Sequence, residues 1–68
     1  MLHNINAEMA RRNISQDELA ELFGVSRRTI YNWISETTEL PSSVLVKMAK
    51  MWKCTADYLL GLDIDKAS

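Results

Sequence analysis

Arg27, Arg28, Tyr31 and Asn32 have the types and spacing to read a nucleic-acid surface. They follow one another at offsets of one, three and one, so on a helix they form a single outward stripe. An arginine guanidinium is a planar donor fork that matches the O6 and N7 acceptors of guanine, and an asparagine amide can pair with adenine. Tyr31 and Asn32, not glutamates, stand four residues after the two arginines. Neither arginine is therefore neutralised along its own helix, and contact with a base or phosphate accounts for the pair better than a solvated face does.

Two short helices must position this stripe. Ser15 with Glu18 three residues on is a capping box. Leu19, Ala20, Leu22 and Phe23 then recur at helical spacing and give the first helix an apolar face. Gly24 stands where that helix should end in the left-handed region, which costs glycine nothing. Val25 is apolar, and Ser26 is a second N-cap. Ile30, Trp33 and Ile34 form the inner side of the second helix, opposite the stripe. Helices joined across a glycine can pack at a steep angle, and Ala20 is small enough to admit the second helix against the first.

Residues 15–34 resemble the helix-turn-helix of the phage repressor and Cro family, on Gln16, Leu19, Ala20, Gly24, Val25, Ser26, Thr29, Ile30 and Trp33. The stretch LPSSVLVKMAKMWKCTADYLLG is similar to the family's closing two helices, so the resemblance covers about residues 5–62. It implies an all-α, compact five-helix, lambda-repressor-like domain in which helices two and three form the DNA-reading unit. Arg27, Arg28 and Asn32 align with base-reading positions. Gln16 aligns with a phosphate contact that the backbone N–H groups of a helix N-terminus assist. Ser26, Tyr31, Thr37, Thr38 and Ser42 are further candidate phosphate contacts. Tyr31 is equally readable as a partly buried surface tyrosine, and Thr37, Thr38 and Ser42 as an ordinary polar loop.

Three departures from the family bear on the fold. Commoner members carry an arginine at the position of Met9 and a glutamate at that of Ile34, which form a buried ion pair. Here both are apolar. One change alone would strand a buried charge at about 3–5 kcal/mol, whereas both together can be neutral. The family's glycine after helix three is Glu36, which predicts that the helix ends differently or runs slightly longer. The glycine after helix one is Asn13.

The remaining segments also read as helical. Residues 4–12 form a first helix with Asn4 as N-cap and Ile5, Met9 and Ala10 inward. Asn13 stops it, and Ile14 enters the core. Residues 35–40 form a loop anchored by Leu40 and closed by Pro41, with Ser42 or Ser43 capping a fourth helix. Leu45, Met48, Ala49 and Trp52 are that helix's apolar face, and Lys47 and Lys50 face water. Lys53 and Cys54 link it to a fifth helix that Thr55 caps and Gly61 stops, with Asp57 in its first turn and Tyr58, Leu59 and Leu60 following. The chain reads as one domain, with a core of about residues 4–62 and a short acidic tail, residues 63–68.

Composition excludes several classes. The 68 residues include one cysteine, Cys54, and one histidine, His3. No internal disulfide or metal cluster follows from these, and no metal or cofactor is expected. Cys54 reads as a core residue and His3 as a solvated one. Trp33 and Trp52 fall on apolar helical faces and read as core, and the four methionines, one at the start, read as core or terminus. No Gly-rich phosphate loop, partnered nucleophile or shared carboxylate pair is apparent, so no enzyme is expected. No apolar run has the length of a membrane span and no signal-peptide core is apparent, so the expectation is a cytoplasmic protein. No sensor domain is apparent and no small-molecule ligand is expected.

The resemblance implies a sequence-specific regulator of double-stranded DNA, of repressor type and of phage or mobile-element origin, acting as a homodimer at least on DNA. Helix three, about residues 26–34, would enter the major groove. The alternative is a protein-interaction module on the same scaffold, an antitoxin or adaptor. A net charge of −1 and a pI near 5.7 favour that alternative, since phosphate attraction is then weak. Arg27 and Arg28 oppose it.

Overall fold

The computed structural model describes residues 1–62. Among them are five helices: α1 (His3–Arg11), α2 (Gln16–Phe23), α3 (Arg27–Ile34), α4 (Ser42–Trp52) and α5 (Ala56–Leu60). No strand occurs among the described residues.

Short-range chemistry fixes most helix ends. The Ser15 backbone N–H donates to Glu18 Oε1 at 2.9 Å, and the Glu18 N–H donates back to Ser15 Oγ at 3.1 Å, completing the capping box. Ser26 accepts from the Thr29 N–H at 3.2 Å, and Thr55 accepts from the Tyr58 N–H at 3.1 Å. Gly24 ends α2 at φ 68°. No atom would meet a Cβ there within 4 Å, so its backbone conformation, not crowding, calls for glycine. Asn13 ends α1 in the same region, at φ 57°.

Other ends differ from the sequence reading. The cap of α1 is Leu2, without a side-chain bond. Asn4 lies inside the first turn, where its Nδ2 donates to the Tyr58 carbonyl at 2.6 Å. The amide thus adds a second donor to a carbonyl near the end of α5, which also accepts from the Gly61 N–H at 3.0 Å. Pro41 is the N-cap of α4, and neither Ser42 nor Ser43 caps it. The Pro41 carbonyl accepts from the Val44 and Leu45 N–H groups, while its missing N–H costs nothing outside the helix. Helix α3 does not run on: it stops at Ile34, and Glu36 adopts φ 66°. The Glu36 N–H reaches the Trp33 carbonyl and the Thr37 N–H the Asn32 carbonyl. This is the double closure a glycine would make, accepted by a side chain at about 1–2 kcal/mol of backbone strain.

Each helix sends one fully buried side chain inward: Ile5, Leu19, Ile30, Met48 and Leu59. Met9 and Ile34 lie in the same core with Ala20, Trp33 and Trp52, so hydrocarbon fills the positions of the family's ion pair. Ile14, Leu40, Leu45, Ala49 and Cys54 pack around it partly buried. Three residues read as inward face water. Ala10 is exposed, Met51 on α4 is 39% exposed, and Leu22 is 59% exposed because α2 turns Leu19, Ala20 and Phe23 inward and leaves Leu22 on the flank.

A polar clamp replaces the missing ion pair at another place. Glu8 is buried. It accepts from Arg12 Nη1 at 2.7 Å, Arg11 Nη1 at 2.8 Å and the Tyr58 hydroxyl at 2.9 Å. Arg12 also donates to the Trp52 carbonyl at 2.8 Å and lies over the Trp52 ring. The clamp thereby joins α1 to α5 and to the end of α4. The hydrogen bond to Glu8, and then burial, push the Tyr58 phenol above its ordinary pKa. Burial, with the Glu8 charge adding and Arg12 opposing, raises the Cys54 thiol. Among the described residues Trp52 Nε1 is buried without a hydrogen-bond partner.

Candidate nucleic-acid interface

Helices α2 and α3 pack against each other more extensively than any other pair. Ala20 on α2 is 4% exposed within the core, and in the turn Val25 packs partly buried against that core while its N–H donates to the Ala20 carbonyl at 3.0 Å. This seating turns Ile30, Trp33 and Ile34 inward and leaves the opposite side of α3 open.

On that side Gln16, Arg27, Arg28, Tyr31 and Asn32 line one cleft of about 370 Å³. Arg27 and Arg28 are the first two residues of α3 and are exposed. Tyr31 is 52% exposed, and Asn32 and Gln16 are half-buried. Gln16 is the first residue of α2, where backbone N–H groups still lack acceptors. An extended phosphate chain crossing there would meet amide donors and an arginine pair together.

The other candidates lie apart from this cleft. Ser26 is engaged in capping, and its Oγ also bonds Thr29 Oγ1 at 2.9 Å. Thr37 is exposed, with Oγ1 2.9 Å from Ser35 Oγ. Thr38 and Ser42 line a different groove, beside Trp33, Leu40 and Leu45. One charged neighbour was not singled out from the sequence. Asp17 Oδ1 lies 3.7 Å from Arg27 Nε across the turn, with both side chains exposed. Its signal in the sequence is weak, because an acid in a first helical turn is common for dipole reasons alone.

The helix-turn-helix family model matches residues 5–59. The chain belongs to the helix-turn-helix family. The match runs from Ile5 in α1 to Leu59 in α5, the first and last of the fully buried core residues, so it takes in every helix of the core. The fold is the repressor- and Cro-like arrangement, with α2, the Gly24 turn and α3 as its helix-turn-helix. This is a DNA-binding regulatory family. No curated protein and no solved structure matches the chain. Among the described residues there is no cluster able to hold a metal ion, and no helix is long and apolar enough to cross a membrane.

Proposed function

We propose that this helix-turn-helix protein is a sequence-specific repressor of transcription that inserts α3 into the major groove of double-stranded DNA. Arg27, Arg28 and Asn32 read bases, and Gln16 and Tyr31 contact the backbone. Ser26, Thr37, Thr38 and Ser42 add flanking phosphate contacts. The observation that carries this reading is the cleft joining Gln16 to the exposed arginines, Tyr31 and Asn32. A helix N-terminus and an arginine fork facing one space suit a phosphate and a base edge respectively. Occupancy would exclude polymerase, and the setting is the cytoplasm.

The working form is a two-fold dimer on a near-palindromic site. One helix makes few base contacts, too few to single out a site among the many competitors in a genome, and two copies one DNA turn apart remedy that. Leu62, 63% exposed, and the half-buried Leu60 support a contact surface at the end of α5. Helix α3 and the 35–40 loop are alternative contact surfaces, and Ile64, apolar in the sequence two residues beyond Leu62, lies outside the described residues.

A net charge of −1 favours a second reading, an interaction module with no specific DNA binding. Gel-shift titrations on random and upstream-region DNA at two salt concentrations separate the two. The repressor reading expects a preferred fragment that persists at the higher salt. Absence of any complex at low salt would establish the interaction module instead.

A further inference from the structure

The contact between Asp17 and Arg27 crosses from α2 to α3, between a cleft-lining arginine and the residue that follows the cleft-lining Gln16. The carboxylate oxygen lies 3.7 Å from Nε, and the two side chains are 73% and 68% exposed. A pair so exposed adds next to nothing to folding, so stability does not account for it. Its geometry relative to the guanidinium has a consequence for recognition. A carboxylate at Nε leaves the Nη1 and Nη2 groups directed away from it, and these two form a donor pair spaced for the O6 and N7 of guanine. Free of Asp17, Arg27 would have five donors and many rotamers with which to take any nearby phosphate.

We infer that Asp17 is a specificity-determining residue: its charge, 3.7 Å from Nε, biases Arg27 toward end-on reading of a guanine and against serving as a general phosphate contact. The carboxylate acts twice. It limits the rotamers of Arg27 before DNA arrives, which lowers the ordering cost of a base contact. It also repels the phosphates beside Gln16, which penalises every sequence alike and is offset only where a guanine is correctly placed. Arg28 makes no ion pair among the described residues and has no such restraint. The two adjacent arginines therefore differ in restraint: Arg27 is biased toward its base contact before DNA arrives, whereas Arg28 is ordered only when it meets its own. The low net charge of the chain fits a protein that gains selectivity by limiting phosphate attraction.

The inference rests on α3 being the reading helix, and the test separates the two. Wild-type protein and the variants Asp17→Asn, Asp17→Glu, Arg27→Ala and Asp17→Asn/Arg27→Ala are checked for folding by far-ultraviolet circular dichroism. Each is then titrated against random DNA and against a site selected by the wild type, across a salt series. Asp17→Asn should bind random DNA more tightly, with a salt slope steeper by about 0.9, the release expected for one added phosphate contact. Its ratio of selected to random affinity should fall about tenfold, within the range for losing one base preference. Repeated selection should show the relaxed position to be the one that Arg27→Ala relaxes. Asp17→Glu should retain most of the ratio, and Asp17→Asn should change little once Arg27 is alanine. An Asp17→Asn protein with unchanged slope and ratio, beside a selective wild type that depends on Arg27, overturns this inference alone. A wild type that binds all sequences alike overturns the reading of α3 as well.

Discussion

Replacing Glu8 with alanine should remove a large part of the stability of the fold. Its carboxylate holds three donors, on Arg11, Arg12 and Tyr58, and its side chain is 4% exposed. Arg11 is 65% exposed on its side chain and regains water, so its share is small, about 0–1 kcal/mol. Arg12 is 32% exposed and keeps the Trp52 carbonyl, but loses its counter-charge. Tyr58 loses its acceptor. Hydrogen bonds to a charged group contribute about 1.5–3 kcal/mol each. With partial rehydration the total is about 3 kcal/mol, the lower end for breaking a buried pair. A chain of this size has roughly 3–10 kcal/mol in all, and the midpoint of thermal unfolding should drop by about 12–24 °C. Thermal and urea melts followed by circular dichroism and tryptophan fluorescence measure this. Glu8→Gln keeps one acceptor oxygen and should fall between. If Glu8→Ala stays within about 0.5 kcal/mol of the wild type, the range of a featureless surface substitution, the clamp does not hold α1 to α5.

Met9→Arg alone should destabilise by about 3–5 kcal/mol through an unpaired buried charge, and adding Ile34→Glu should recover part of the loss; urea melts of the three variants measure the coupling. The Cys54 thiol is pushed up by burial and by Glu8, so at neutral pH it should react with iodoacetamide more slowly than a free peptide thiol, and Glu8→Gln should narrow the difference. The folded-state pKa of Tyr58 is raised. Its contribution to stability is therefore complete below the unfolded tyrosine pKa and is lost as pH climbs through the folded one. Denaturation from about pH 9 upward should show a decline that Tyr58→Phe lessens, with the unfolded value of about 10 as the onset.

The parts of this fold legible in the sequence are those decided within one helical turn. Ser15 with Glu18, Ser26, Thr55, Gly24 and Gly61 each act on backbone groups at most a few residues away, so residue type and offset suffice. Ile5, Leu19, Ile30 and Met48 were legible as inward positions because amphipathic spacing selects a face, whereas the five-residue α5 is too short for spacing to single out Leu59. Leu22 shows the limit of that rule, since spacing marks a face but not how far the neighbouring helix covers it. Glu8 was not legible as a core residue. Its i+3 and i+4 arginines can be seen in the sequence, but its burial depends on Tyr58, 50 residues on. Asn4 was read as a cap because the Tyr58 carbonyl that draws it inward is likewise remote. Glu36 was read as making α3 end differently or run slightly longer, because side-chain penalties at positive φ argue against a glutamate there; the loop closure outweighs them, and α3 stops at Ile34. In the candidate site, the stripe on α3 follows from its spacing, whereas the approach of Gln16 and Asp17 depends on how α2 docks.

The central claim is that Arg27, Arg28 and Asn32 on α3 read DNA sequence. Binding-site selection from a random double-stranded pool, run in parallel on the wild type and on Arg27→Ala, Arg28→Ala and Asn32→Ala, tests it most directly. The wild type should select two related half-sites about 10 base pairs apart. An arginine or asparagine variant should relax the preference at one position per half-site and weaken the selected site by about 1–3 kcal/mol. Recovery of the same sequence at the same affinity by all three variants would contradict the account.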